Sequence, residues 1–434
     1  MNRRDFLKMM GATGVAGALG SASAPAFAAT STLYTGKVLM TIHAGGGWDH
    51  SSFADPRENP TINHWAADQA DSPAQKAGTA GNLRFAPFAE NEAFFNKYYQ
   101  HMLVINGIDL QTNGHDAARR YRSTGSLTAG LPSLNELFAA TVAPKAPMPF
   151  VRAGGYGQTV GVMPFTTLPD EALLRSLADP NSHVDGRKYY AESHMSILDR
   201  YRQERLASQL ADPTNLPRWR QKLLELQRAR AGTQEFAGLG SLLPETLDSQ
   251  DLTGAAHRGV RDMHLFLLLA SAGMTATGGF SIGGWDTHGN HDVGHTGRVR
   301  HLTRMVDYLW TKAAAMGIDD RLVVHITSDV GRTPRYNANN GKDHWSVGAD
   351  VIMAKQAPWA NRIVGMSGPA HERVRIDPNT LQADEQGIHL RPKHVHAALR
   401  DMLGIRDHAL AKRYALDAET MPLFDASIST GIQV

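Results

Sequence analysis

Short apolar segments with the composition of buried strands alternate with helix-length segments along most of the 434-residue chain. Strands are predicted most strongly at residues 37–43, 277–282, 321–328 and 349–354, and helices at residues 256–271, 293–316 and 393–403. Parallel strands need long crossover connections, usually helices, so this alternation is typical of an α/β fold. We therefore predict a mostly parallel sheet that is covered by helices on both faces.

The first 28 residues predict export. Arg3 and Arg4 form a twin-arginine pattern, an apolar stretch follows as far as Leu19, and the A-F-A sequence at 26–28 offers a cleavage site. A membrane anchor is the alternative, but the stretch is short and weakly apolar for a span. We predict a signal peptide at residues 1–28, passage through the twin-arginine translocase, and a periplasmic or secreted chain with no stable membrane span after cleavage.

The mature chain, residues 29–434, is predicted to form one large α/β domain. Residues 187–232 differ from the rest because they are rich in Arg, Lys, Glu, Gln and Leu. They predict one or two long amphipathic helices with a break near residues 213–217. An inserted helical hairpin or lid and an ordinary outer layer of helices are equal alternatives for this segment.

The composition limits the partners and the kinds of metal site. A formal net charge of +2, with no long basic run, gives no indication of nucleic-acid binding. The absence of cysteine excludes disulfides and thiolate ligands, whereas 20 histidines provide imidazole nitrogens. Imidazole and carboxylate ligands suit zinc or manganese, and calcium or magnesium where oxygen predominates.

Carboxylates and imidazoles follow the predicted strands at the edge where open α/β sheets bind ligands, beyond the carboxyl ends of the strands. One such group follows the first strand, others follow the strands at 277–282 and 321–328, and the last pair precedes the strand at 349–354. The residues that we predict as metal ligands on this basis are Asp49, Asp286, His288, Asp329, Asp343 and His344.

The pair Asp286 and His288 has the spacing of two ligands on extended chain, where residues i and i+2 point the same way. The glycines at 283–284 allow the backbone to approach a site closely. Taken alone, this pair favours capping of the following helix. The carboxylates at the other strand ends favour a metal site of one or two ions, and two ions could clamp an ester displacement.

Three further residues are candidates for catalysis. Arg332 could present its planar guanidinium to an anionic substrate, or it could pair with a nearby carboxylate. Thr112 and His115 lie where a helix begins after a strand, a position that favours an anion or a nucleophile. The alternative there is that Asn113 simply caps the helix.

Several of these segments together resemble the bacterial domain-of-unknown-function family 1501. They are the twin-arginine start, the glycine loop that ends in Asp49, G-G-W-D-T-H at 283–288, T-S-D-V-G-R-T-P at 327–334 and G-K-D-H at 341–344. That family is placed in the alkaline-phosphatase-like superfamily, beside sulfatases and phosphomutases. The resemblance implies an alkaline-phosphatase-like fold and metal chemistry. The residues that it matches to metal-holding positions are Asp49, Asp286, His288, Asp329 and His344.

The chain departs from the family pattern at two places. Asp329 and Val330 stand where family members usually carry Glu-Phe and where the wider superfamily often has Asp-His. Gly114 stands before His115 where members often carry Ser. If that serine is the nucleophile in relatives, then Thr112 substitutes for it, or water activated by the metal attacks directly, or the site is inactive.

The predicted function is that of an exported metal-dependent hydrolase whose substrate is a small anionic phosphate or sulfate ester. The alternative is an inactive exported relative that acts as a binding or assembly protein.

Overall fold

The computed structural model of the chain describes residues 33–65, 76–182, 187–231 and 254–428. The predicted signal peptide at 1–28 and residue 232 of the predicted helical segment lie outside the described residues.

Eight strands form the central sheet. They are β1 Val38–Gly45, β4 Met102–Asp109, β5 Phe150–Ala153, β6 Thr166–Thr167, β7 Thr277–Gly283, β8 Leu322–Ser328, β11 Val347–Ala354 and β12 Arg362–Val364. Their order is β12-β4-β11-β8-β1-β7-β5-β6. Neighbouring strands are parallel except at β11, which runs antiparallel to both β4 and β8. The prediction of a mostly parallel sheet is therefore confirmed.

Six short strands pair outside this sheet. They are β2 Gly78–Ala80 with β3 Leu83–Phe85, β9 Gly331–Arg332 with β10 His344–Trp345, and β13 Arg375–Ile376 with β14 Ile388–His389.

The α-helices of the described residues are α1 Asn91–Tyr98, α2 His115–Thr124, α3 Leu134–Val142, α4 Glu171–Ala178, α5 Glu192–Ala211, α6 Pro217–Ala231, α7 Gly254–Ser271, α8 His291–Ala315, α9 Pro392–Met402 and α10 Ala409–Arg413. Short 3₁₀ helices occupy His50–Ser52 and Tyr99–His101.

Side chains alternate across the central strand β1, and each face of the sheet is buried under helices. Met40 faces the cluster that contains Phe266 of α7 and further residues of α8 and α1. Leu39 faces the opposite cluster, which contains Leu137 of α3 and Leu399 of α9. The predicted cover of helices on both faces is confirmed.

The predicted helical segment at 187–232 contains α5 and α6, and the break predicted near residues 213–217 overlaps the residues between them and reaches the first residue of α6. No helix in the described part of the chain has both the length and the apolar character that a membrane span requires.

Candidate metal centre

Loops from five strands meet at one edge of the central sheet. Strands β1, β4, β7 and β8 run in the same direction, so their carboxyl ends lie together. Strand β11 runs the opposite way, so it begins at this same edge. The residues of these loops that lie in contact are His115 after β4, Asp286 and His288 after β7, Asp329 after β8, and Asp343 and His344 before β11.

Four of these side chains direct ring nitrogens and carboxylate oxygens at one another. His288 Nε2 lies 3.0 Å and His344 Nε2 lies 3.1 Å from Asp286 Oδ1. The two imidazole nitrogens are 3.1 Å apart. His115 Nε2 lies 3.7 Å from Asp286 Oδ2. The cluster is open on one side, since the side chains of Asp286 and His288 are each 47% exposed.

Hydrogen bonds at Nδ1 fix the tautomers of His344 and His288. His344 Nδ1 lies 2.9 Å from the carbonyl oxygen of Asn113, which can only accept, so this nitrogen donates. His288 Nδ1 donates in the same way to the carboxylate of Asp343, 2.9 Å away. A neutral imidazole with its proton on Nδ1 has its lone pair on Nε2. Both Nε2 atoms therefore face Asp286 as bare acceptors.

His115 completes the arrangement, because its Nδ1 donates to Asp329 Oδ2 over 2.8 Å and its Nε2 faces Asp286. Three lone pairs and one carboxylate thus share one small space. Two unprotonated nitrogens at 3.1 Å are unfavourable neighbours unless a cation binds both. Imidazoles that donate Nδ1–H to a carboxylate or carbonyl are the usual ligands of zinc-type ions. The residues present fit a divalent ion with nitrogen-rich ligation, such as zinc or manganese, better than calcium or magnesium.

The carboxylate of Asp286 is held ionised. Burial acts to raise its pKa, but the hydrogen bond and the charge of the Arg332 guanidinium outweigh burial and lower the pKa to about 2. Asp286 is therefore an anion at neutral pH.

Asp329 and Asp343 were predicted as ligands, and the structure gives them orienting contacts. Asp343 Oδ1 accepts from His288 and from Asn337 Nδ2, 3.0 Å away. Asp329 is fully buried and accepts from the backbone N–H of Gly46 at 3.0 Å. Burial acts to raise the pKa of Asp329, but nearby histidines outweigh burial and lower it. Each carboxylate thus accepts a hydrogen bond from an imidazole Nδ1–H, which leaves Nε2 of that ring without a proton.

Arg332 is buried and its guanidinium is fully engaged within the protein. Nε donates to Gly47 O at 2.9 Å, Nη1 donates to Lys342 O at 2.9 Å, and Nη2 donates to Asp286 Oδ1 at 2.6 Å and to Gly46 O. Of the two predicted roles, the contacts favour pairing with a carboxylate over binding of substrate. Arg332 positions Asp286.

Asp49 belongs to a separate buried network. Its Oδ2 accepts from Lys342 Nζ at 2.6 Å and from His291 Nε2 at 3.0 Å, and its Oδ1 accepts from Ser51 N at 2.9 Å. Burial acts to raise the pKa of Asp49, but the Lys342 ammonium and His291 outweigh burial and hold it well below the usual range. The structure does not bring Asp49 into the set formed around Asp286.

Thr112 and Arg119 lie on either side of His115 in sequence. The hydroxyl of Thr112 accepts from Gly114 N at 3.1 Å, and no contact joins it to the four ligand candidates among the described residues. Arg119 lies one helical turn after His115, and its Nη2 is 3.4 Å from Asp329 Oδ2. The Arg119 side chain is 36% exposed, so it offers a guanidinium at the rim of the centre.

Sequence reasoning missed Arg119, Lys342 and His43. The i,i+4 spacing of Arg119 from His115 is a usable signal, because such residues share a helix face. Lys342 precedes two predicted ligands, but nothing in its neighbours indicates a buried ammonium. His43 is buried on β1, where burial lowers its pKa to about 4 despite the opposing charge of Asp329.

Two sequence families match the chain. The family described as protein of unknown function (DUF1501) matches residues 170–355, and the twin-arginine translocation pathway signal sequence matches residues 1–20. The family resemblance and the predicted export through the twin-arginine pathway, to the periplasm or the exterior, are thereby confirmed. No curated protein matches the sequence.

Solved structures similar to this chain include sulfatases and an alkaline phosphatase. The sulfatase PsFucS1 from Pseudoalteromonas sp. is 8% identical, with 96% of this chain and 76% of that chain covered and a TM-score of 0.37. The alkaline phosphatase of the Antarctic bacterium TAB5 is 12% identical, with 76% and 95% covered and a TM-score of 0.34. The structure of Ps i-CgsB in complex with a neocarrahexaose is 9% identical, with 90% and 76% covered and a TM-score of 0.38. At these values the function has to be inferred from the site residues themselves.

Proposed function

We propose that the chain is an exported metal-dependent hydrolase that acts on a phosphate or sulfate ester. The observation that supports this function is the orientation of three Nε2 lone pairs toward one ionised carboxylate. The residues that would hold the ion are His115, Asp286, His288 and His344. When bound there, zinc or manganese supplies a Lewis acid that polarises an ester oxygen and makes water more acidic.

Arg119 is the residue that we assign to binding of the anionic group. Its guanidinium lies at the open side of the centre and is not saturated, since its contacts are 3.4 Å to Asp329 and 3.7 Å to Asp116. A guanidinium with free N–H groups binds two oxygens of a phosphate or sulfate at once. In this proposal Arg119, rather than Arg332, binds the anionic group of the substrate.

Water is the nucleophile that the contacts favour. In the described part of the chain, no serine or threonine hydroxyl makes a hydrogen bond with the side chain of any of the four ligand candidates. Thr112 is directed to the backbone of its own loop. The open side of the centre is accessible to water.

The same lack of a hydroxyl nucleophile supports the second candidate function, a non-catalytic binding or assembly protein that retains the ion. The two functions differ in turnover and agree in metal content, so a hydrolysis assay on metal-loaded protein separates them.

The test uses the purified mature chain, residues 29–434, loaded with zinc or manganese. It is assayed with 4-nitrophenyl phosphate, bis(4-nitrophenyl) phosphate and 4-nitrophenyl sulfate. We expect turnover of at least one ester, a loss of about 100-fold or more in Asp286→Asn, and loss with a chelator that added metal reverses. Asp401→Asn is the control, because Asp401 is an exposed carboxylate on α9, outside the centre. Failure to turn over any ester with metal bound would contradict the hydrolase and favour the binding protein.

A further inference from the structure

Donors of the protein surround the carboxylate of Asp49. Ser51 supplies a backbone N–H at 2.9 Å to Oδ1, and its hydroxyl lies 2.5 Å from Oδ1 and 2.6 Å from Asn63 Oδ1. Lys342 Nζ lies 2.6 Å and His291 Nε2 lies 3.0 Å from Oδ2. Because the Thr287 hydroxyl can donate to Nδ1 of His291, the ring carries its proton on Nε2 and donates it to Asp49. Both oxygens of Asp49 therefore accept hydrogen bonds from the protein itself.

Lys342 is a buried ammonium that neutralises Asp49. Its side chain is 1% exposed, as is that of Asp49. Nζ also lies 3.3 Å from Ser51 Oγ and 5.0 Å from the centre of the Tyr336 ring, a cation–π contact. A buried charge is stable only when it is paired and hydrogen-bonded, and each partner here satisfies the other. No net charge is left at Asp49 to attract a further cation.

This pair also ties together the two loops that carry most of the candidate ligands. The carbonyl of Thr287, which lies between Asp286 and His288, accepts from Lys342 N at 3.1 Å. The Thr287 hydroxyl lies 2.7 Å from Nδ1 of His291, whose Nε2 donates to Asp49. Lys342 itself comes two residues before His344 in the chain. The buried network therefore contacts the loops that carry the candidate ligands, but it supplies no ligand atom to the proposed metal centre.

We propose that the Lys342 ammonium is a built-in cation at Asp49, so that the centre takes one divalent ion and Asp49 is closed to a second. This inference rests on the proposed metal centre and fixes its stoichiometry. An ion at Asp49 would have to displace a buried ammonium, and the two positive charges would repel at such short range.

The test counts ions and does not depend on an assay of activity. Wild-type protein and two variants are equilibrated with zinc, freed of excess, and analysed for zinc per chain by elemental analysis and by calorimetric titration. Asp49→Asn/Lys342→Met removes both buried charges together, so neither is left unpaired in a variant that has to fold. We expect one zinc in the wild type, one zinc in this double variant, and none in Asp286→Asn.

Two zinc ions in the wild type, or loss of zinc in the folded double variant, would overturn the inference and leave metal-dependent hydrolysis standing. One zinc per chain without turnover of any ester would overturn the hydrolase and leave this inference standing. A wild-type protein that binds no zinc or manganese would overturn both.

Discussion

Each imidazole around Asp286 is fixed through its Nδ1 atom, and that bond decides which atom a cation meets. Asp343, Asp329 and the carbonyl of Asn113 each accept one Nδ1–H. A ring held in this way keeps its orientation and its tautomer before any ion arrives, which reduces the cost of ordering on binding. The metal affinity of the proposed centre should therefore depend on these acceptors, since each fixes a ring whose Nε2 faces Asp286.

Removal of one orienting carboxylate tests this point. In Asp343→Ala, His288 loses the acceptor for its Nδ1 proton, and we expect zinc to bind about 10- to 100-fold more weakly. Zinc affinity is measured by competition with a chelator of known affinity. Asp116→Ala is the matched control, because it removes an equal charge from an aspartate whose side chain is 95% exposed and bonded to none of the imidazoles. Equal losses in the two variants would show that only charge matters.

The buried imidazole of His43 predicts a pH dependence of stability. Burial lowers its pKa in the folded protein to about 4, from about 6.5 in an unfolded chain. Between those pH values His43 is protonated in the unfolded state but not in the folded state. The free energy of unfolding therefore decreases as the pH falls from about 6.5 to about 4. The shift corresponds to about 3 kcal/mol.

His43→Leu should remove this part of the pH dependence. We expect the difference in unfolding free energy between pH 7 and pH 4.5, measured in urea, to be smaller in the variant by about 2–3 kcal/mol. His194→Leu is the control, since His194 is exposed on α5. A variant with an undiminished slope would mean that His43 is not the buried group responsible.

The predicted strands placed the site at one edge of the sheet, but the sequence did not explain how Asp343 and His344 reach that edge. The strands that end before Asp286 and Asp329 were recognised from their apolar runs, and the rule for strand ends placed their side chains together. Asp343 and His344 precede a strand, and they reach the same edge only because β11 is antiparallel. Nothing in the composition of β11 reveals its direction, because a buried antiparallel strand is as apolar as its parallel neighbours.

The roles of single residues were harder to predict than the position of the site. Spacing and strand ends indicate which residues could be ligands. Whether a side chain binds the ion or orients a ligand depends on differences in distance of less than an ångström. Arg332 was expected as a substrate-binding or a pairing residue, and its buried contacts favour pairing. Lys342 pairs with Asp49 and neutralises its charge, and no local pattern in the sequence predicts that contact.

The loop after β1 must approach the ligand loop closely, and Gly46 permits this. A Cβ atom there would lie 2.6 Å from the backbone nitrogen of Asp286, and the residue has φ +121°. Gly46→Ala should therefore shift Asp286, weaken zinc binding and destabilise the fold. Gly130→Ala is the matched control, since Gly130 has φ +105° and open space around it. We expect Gly46→Ala to cost about 1–3 kcal/mol more than the control in thermal or urea unfolding. Equal costs would show that the close approach has no effect.

In the whole molecule, one sheet with helices on both faces brings the candidate ligands together at one edge. The twin-arginine pathway carries folded proteins, so this edge can be assembled before export. Replacement of the arginine pair, Arg3→Lys/Arg4→Lys, should leave the precursor in the cytoplasm, because the pair is what the pathway recognises. Cell fractionation and immunoblotting measure this, with Lys8→Arg as a control that retains both arginines. Export of the double variant at the wild-type level would exclude the pathway.

The proposed function depends on one divalent ion bound by His115, Asp286, His288 and His344. Crystals of the mature protein grown with zinc, with diffraction data collected on both sides of the zinc absorption edge, would locate this ion. We expect one anomalous peak, within bonding distance of the Nε2 atoms of the three histidines and of the carboxylate of Asp286, with Lys342 still paired to Asp49. A map without a peak among these four side chains, or with zinc bound to Asp49, would contradict it.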